Sequence, residues 1–467
     1  MASVRTRTDY RITYVVLCVG VAAFALLQSL VNPVLPTIQA ELHTDQSTVS
    51  WVLTTYLLSA SVFTPITGRI GDRVGKNRML VVTLAGLAAG SFLAAVSTSI
   101  SVLIVARVIQ GLGGGVLPLS FAIIRDEFPK ARIPGAVGTI SALVSAGGGI
   151  GLILAGPIVE VLGYRWLFWI PMVITTVAVV AAAVAVPASP GRSEVSVNPM
   201  TALLISGGLV TLLLGVVQGG SWGWASPRVL GLLGIGIVLL VAWVLAESAS
   251  AHPLIDMNIM RIPTVWTVNV AALFVGMGMY SMFAVLPPLL QTPRSTGYGF
   301  GASVTVSGII LLPQTVGSFA GGILAGRLTG KVGSKPLLVV GTCLMTASML
   351  VLGLAHTRLW AVLVGGGLLG VAIGLAFAAM ATLVVSAVPL SQTGVASGMN
   401  ANIRTVGGAM GTAVVTAVLT AGPGSGGLGF TRAFFILAAA SAAATLVAIL
   451  VSVCTDVVDS NGALNRG

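Results

Sequence analysis

The sequence predicts an all-α integral membrane protein with 14 transmembrane helices in a 6+2+6 arrangement, the two sets of six forming pseudo-symmetric bundles. Three observations carry that prediction. The 467 residues are 56% hydrophobic and 7% charged, with a mean hydropathy of +1.03, whereas soluble domains carry roughly 25% charged residues. Apolar runs recur at about 20 residues, the length that crosses a hydrocarbon core of about 30 Å. Finally, a short cationic, glycine-rich segment occurs twice. Gly326-Arg327-Leu328-Thr329-Gly330-Lys331-Val332-Gly333 aligns without a gap on Gly68 to Gly75, 258 residues earlier. A duplicated helix bundle produces such an echo.

The fourteen runs fall near 13–36, 50–67, 79–97, 102–124, 135–159, 166–187, 199–219, 228–247, 264–290, 301–326, 336–355, 359–387, 394–420 and 432–453. Six spans at the density of the first half need about 190 residues, fewer than the 258 between the two copies. The excess matches one inserted helix pair. Residues 1–187 therefore read as an amino-terminal bundle, 188–263 as the inserted pair with its connectors, and 264–467 as a carboxy-terminal bundle. The glycine-rich stretch from Ala421 to Gly429 reads as a flexible outer loop.

Charge sets the orientation. With the amino terminus inside, sixteen Lys and Arg residues fall on cytoplasmic segments and five on outer ones. The positive-inside rule then places both termini, and the segment from Gly68 to Arg78, on the cytoplasmic face of a multi-pass protein of the cell membrane. The same distribution explains the net charge of +11 by topology, so no nucleic-acid partner is expected; the lipid bilayer is the partner. The cationic start leads into a run too long for a cleavable signal. Cys18, Cys343 and Cys454 stand singly in apolar surroundings, and His43, His252 and His356 are isolated, which predicts neither disulfides nor a metal site.

Motifs of soluble enzymes fail on context. Gly365, Gly367 and Gly370 match a dinucleotide fingerprint but lie inside an apolar run with no strand before it. Gly71 to Asn77 has one spacer too few for a phosphate-binding loop and lacks its Ser or Thr. No enzyme activity and no cofactor are expected.

Arg107, in Ala106-Arg107-Val108-Ile109-Gln110-Gly111, is a charge within a span. Such a residue faces a polar cavity or a partner and marks a pathway, or it satisfies backbone carbonyls and fixes packing. Arg404 also falls within the membrane. Phe24, Gln28 and Asn32 share one face of the first span at helical spacing. With Tyr56, Gln110, Tyr280, Phe283 and Gln314 they are the candidates to line a central cavity, where amides and aromatic rings suit bulky amphipathic ligands; interhelical packing is the alternative for each. Acids are confined to span ends and the basic segment, with none at the midplane. Glu160, near the outer end of the fifth span, is the remaining candidate for a proton-carrying group, its alternative being a charged end-cap paired with Arg165.

At these residues the chain resembles the major facilitator superfamily and, within it, the 14-spanner drug/proton antiporters. Gly68 to Arg78 is similar to the superfamily's Gly-x-x-x-Asp-Arg-x-Gly-Arg-Arg motif, and Arg107 to Gly111 to its Arg-x-x-Gln-Gly motif. Asn32, Leu35 and Pro36 match the element closing helix 1; Tyr164-Arg165-Trp166-Leu167-Phe168 matches a Trp-Arg-Trp-x-Phe element. Gly394 to Asn400, with Arg404, Gly407 and Gly408, resembles the start of helix 13 in that subfamily. Two departures stand out: the Gly-Pro pair of the helix 5 antiporter motif is Gly151-Leu152 here, its proline lost or displaced to Pro157, and Leu27 and Gln28 replace a helix 1 acid.

The resemblance implies a working monomer that exports amphipathic drugs or metabolites by alternating access, in exchange for protons down their gradient, and so confers multidrug resistance. A proton-independent facilitator or flippase for a metabolite or lipid is the alternative. Gly68, Gly71, Asp72, Arg73, Gly75, Lys76 and Arg78 would form the gating element. Asp72 would lie near the amino-terminal end of helix 13, around Val388 to Ser397, and Arg73 or Lys76 would pair with Asp126 or Glu127.

Overall fold

The computed structural model describes residues 10–187, 198–250, 253, 255–420 and 426–451, and among these no strand occurs. The amino-terminal set comprises α1 (Tyr10–Leu30), α2 (Leu35–Glu41), α3 (Gln46–Val74), α4 (Lys76–Ala95), α5 (Ile100–Gln110), α6 (Val116–Glu127), α7 (Ile133–Leu162) and α8 (Trp166–Ala185). The middle pair is α9 (Pro199–Trp222) and α10 (Pro227–Ala249). There follow α11 (Met257–Met260), α12 (Pro263–Gln291), α13 (Val304–Ile310), α14 (Leu312–Val332), α15 (Ser334–Ala355), α16 (Leu359–Ala387), α17 (Thr393–Thr420) and α18 (Gly426–Leu450).

Thirteen of the described helical stretches are long and apolar enough to cross a membrane, α5–α6 and α13–α14 each counting as one. The fourteenth predicted span is α17, a 28-residue helix that carries Asn400, Asn402 and Arg404. Helix starts follow local chemistry. The Asp45 carboxylate accepts from the Thr48 N–H at 2.9 Å at the head of α3, and Ser99, Ser226 and Ser303 accept from the third residue after them, filling donors that a first turn leaves unbonded. The fourth predicted span is interrupted where Gly111 to Gly115 tighten into a 3-10 turn between α5 and α6. The predicted loop at Ala421 lies outside the described residues as far as 425, after which α18 is already under way.

One correction concerns the basic segment. Gly68 to Arg78 reads in sequence as a glycine-rich turn, but α3 continues through Val74 and α4 begins at Lys76, leaving Gly75 alone as the turn. The chain can reverse in one residue because Gly75 adopts φ +114°, which side-chain-bearing residues rarely tolerate. Its counterpart Gly333 separates α14 from α15 in the same way, with φ +82°.

Buried apolar side chains form one cluster drawn from the amino-terminal helices, joined by Phe377, Ala381 and Val385, and a second drawn from α11 to α18. The two sets of helices meet where α3 and α6 pack on α17 and where α7 packs on α14 and α16. With lipid outside, small residues rather than hydrophobicity bring such helices together; a Cβ on Gly138 of α7 would sit 2.7 Å from the Gly326 Cα of α14. The middle pair is not a peripheral add-on. α9 packs on both α3 and α17, and Ile205, Leu209 and Trp243 share a buried cluster with Val395 of α17. The pair thus lies over the seam between the two sets.

Candidate functional site

At the end of the bundle that carries Gly75, the two helix sets are fastened by a buried charge network. Lys76, held at the first position of α4 by the Gly75 turn, is 3% exposed. Its Nζ donates to Asp126 Oδ2 of α6 at 2.8 Å and to the Leu390 carbonyl, just before α17, at 3.3 Å, and it lies 3.9 Å from Asp72 Oδ1. Asp72 sits against the first turn of α17: a Cβ on Gly394 would stand 3.3 Å from both carboxylate oxygens, neither of which accepts a hydrogen bond. An acid at a helix amino terminus meets unbonded N–H groups and the positive end of the helix dipole. Close approach makes this possible, since a Cβ on Gly68 would be 2.9 Å from the Gly394 carbonyl oxygen. Arg125 donates to Thr393 Oγ1 at 2.7 Å, and Asn402 of α17 donates to the Ser61 carbonyl of α3 at 2.7 Å.

Gly68, Gly71, Asp72, Gly75, Lys76 and Asp126 therefore converge on one junction. Arg73 and Arg78 do not; both side chains are exposed. Arg69 contributes where sequence reasoning assigned it nothing, donating to the Pro253 carbonyl beyond α10 at 2.8 Å. That bond ties the middle pair to the same junction.

Arg107 is wholly buried within the amino-terminal set. Its Nε donates to the Val52 carbonyl at 3.1 Å and its NH1 to Gln110 Oε1 at 2.8 Å, while Gln110 passes a hydrogen bond on to Ser91 at 3.1 Å. The guanidinium lies over the Tyr56 ring, 4.9 Å from its centroid. Gln110 is thus a partner of Arg107 and not a cavity-lining residue, a correction that follows from its helix spacing of three residues, which brings the two side chains together. Glu160 needs correcting too. Its side chain is exposed at the far end of α7, and Arg165 donates to the Ser97 carbonyl, so the pairing anticipated for these two is not made.

Where a central cavity was expected, two small slots lie between the sets. One, of about 20 Å³, has Phe283 and Gln314 among its walls, with Ser145, Gly149 and Met279. That volume accommodates a water and not a drug-sized ligand. The other lies between Leu117 and Phe121 of α6, Phe377 and Val384 of α16, and Ser397, Asn400 and Arg404 of α17. Tyr280 of α12 is half-buried against Gly408 of α17, within the carboxy-terminal set. Phe24 is buried in the amino-terminal cluster and Gln28 is half-buried; the Asn32 side chain lies outside the described residues. Arg404 and Phe377 are the residues the predicted lining set missed. The lone cation in span 13 was the available signal for the first; nothing in the sequence distinguishes Phe377 from packing.

The sequence model of the Major Facilitator Superfamily matches this chain at residues 17–292 and again at 268–462. The tetracenomycin C resistance and export protein of Streptomyces glaucescens is 31% identical over 86% of this chain and 74% of its own. The multidrug transporter protein MdtP of Bacillus subtilis is 26% identical over the same shares. Among solved structures, the human organic anion transporter MFSD10 superposes with a TM-score of 0.67 at 15% identity, covering 94% of this chain and 99% of that one; likeness at that identity speaks for the fold alone.

Proposed function

Because the chain belongs to the Major Facilitator Superfamily, on its drug-efflux side, and is a multi-pass membrane transporter and not an enzyme, we propose that it exports amphipathic drugs or metabolites by alternating access in exchange for protons. The observation that carries this reading is the junction at Gly75: Lys76, held by Asp126, bonds to the Leu390 carbonyl, and Asp72 abuts the start of α17, fastening the two sets at one end. In this reading the fastened end is cytoplasmic, as the positive-inside rule places it, both termini lie on that side, and the membrane is the cell membrane. Release of the junction opens the pathway inward and reclosure commits the substrate outward, with a monomer doing the work. The buried carboxyl group of Asp72, where α3 meets the start of α17, is the one that would carry a proton in this reading.

A second reading is favoured by one observation. No carboxylate is among the residues lining either slot, which suits a proton-independent facilitator or flippase. Inverted membrane vesicles loaded by an imposed pH gradient decide between them. Proton-coupled export predicts dye accumulation that collapses on adding an uncoupler. Accumulation indifferent to the uncoupler selects the second reading, and no difference from vesicles lacking the protein rejects both.

A further inference from the structure

The slot between α6, α16 and α17 holds an arginine with no acid to meet it. Arg404 is 6% exposed and its guanidinium lies 3.9 Å from the centroid of the Phe377 ring. Its Nε has no hydrogen-bond partner, and neither does the hydroxyl of Ser397 on the same slot. Asn400, the remaining polar side chain there, is already committed to Asn269 at 3.0 Å. The other walls, including Leu117, Phe121, Phe377 and Val384, are apolar. Neither Asp72 nor Asp126, the acids beside Lys76 at the junction, lines this slot. Among the described residues neither buried intramembrane guanidinium, Arg107 or Arg404, is paired with an acid.

A guanidinium in such surroundings gains most from an anion brought to it, because charge-assisted bonds are strong and geometrically specific where water is excluded. A cation entering the same slot would meet the like charge of Arg404 and, among the residues lining it, no counter-charge. We infer that this slot, widened when the two sets separate, receives the acid group of an aromatic organic anion. A carboxylate, sulfonate or phenolate accepts from Arg404 Nε and Ser397 Oγ, while the ring of the ligand packs between Phe121 and Phe377. The proposal rests on the export reading and narrows its substrates to organic acids over organic cations.

The test uses two dyes of one xanthene frame, anionic fluorescein and cationic rhodamine 123, with the purified full-length protein in phosphatidylcholine nanodiscs, where no anionic lipid headgroup competes. Fluorescence anisotropy is expected to show fluorescein binding at least ~10-fold more tightly than rhodamine. Arg404→Gln should weaken fluorescein roughly 10- to 100-fold, the loss of one or two bonds to a charged group, and leave rhodamine within about threefold; Arg404→Lys should restore part of the difference. Should the variants not survive purification, the dye ratio of the unaltered protein still decides. Tighter binding of rhodamine, or equal weakening of both dyes by Arg404→Gln, overturns the assignment. In vesicles, uphill movement of rhodamine without fluorescein would retire the anion site while leaving export intact.

Discussion

Replacing Asp126 by asparagine removes one charge from the junction while keeping the size and shape of the side chain. Lys76 Nζ and Asp126 Oδ2 are 2.8 Å apart, with both side chains 4% exposed. Removing one partner of a fully buried ion pair costs about 3–5 kcal/mol, mostly by stranding the other charge. Here Lys76 keeps the Leu390 carbonyl at 3.3 Å and Asp72 at 3.9 Å, so the expected loss falls below that range, at about 2 kcal/mol. That pair joins α4 to α6 within the amino-terminal set, and what crosses the seam is the bond it positions, from Lys76 to the Leu390 carbonyl. Loss of that one charge-assisted bond is the part specific to the closed arrangement, about 1.4 kcal/mol, and raises the open-to-closed ratio about 10-fold. Spin labels on Lys130 and Lys331, exposed residues of opposite helix sets at this end, read the change as a longer-distance population in a cysteine-free background. Lys76→Met should produce a similar shift, and the double variant little more than either single one, since the two residues act as a pair. An unchanged distance distribution in Asp126→Asn, with the protein folded, would refute the latch.

Three further outcomes follow from the same geometry. Gly75→Ala forces a side chain into φ +114° and should cost about 1–3 kcal/mol, read as a lower melting temperature in detergent with weakened dye export. Gly68→Val places a branched side chain where a Cβ alone would come within 2.9 Å of the Gly394 carbonyl; it should part α3 from α17, lengthen the same spin-label distance and abolish export without reducing membrane insertion. Arg69→Met removes the bond to the Pro253 carbonyl at 2.8 Å, and hydrogen exchange should then show faster exchange at the α10–α11 connection while α12 to α16 stay as protected as before.

Much of the fold was legible from residue chemistry. A chain with so few charges has to satisfy its backbone internally within lipid, which leaves helices or a closed barrel, and apolar runs of about 20 residues select helices. The helix boundaries follow from caps and glycines that sequence displays directly, and the 258-residue echo of Gly68 to Gly75 located the duplicated turn. What misled was local reading of that turn: glycines at 68 and 71 look like loop residues, yet they lie within α3, at least Gly68 because α17 must approach its backbone. Arg107 and Gln110 illustrate the other limit. Their three-residue spacing was visible, but whether they face a cavity or one another depends on α3 and α4, which supply the Val52 carbonyl and Ser91.

By itself, then, the sequence determined the solvent, the helices, their duplication and the expected sidedness, because hydropathy, charge placement and turn chemistry act over a few residues at a time. Only the tertiary structure decided which charges meet. Lys76 finds Asp126 and Leu390, Asp72 finds α17, and Arg404 finds Phe377 but no acid, across separations of tens to hundreds of residues. Those pairings depend on how helices cross, and crossing is set by the shapes of whole faces in contact.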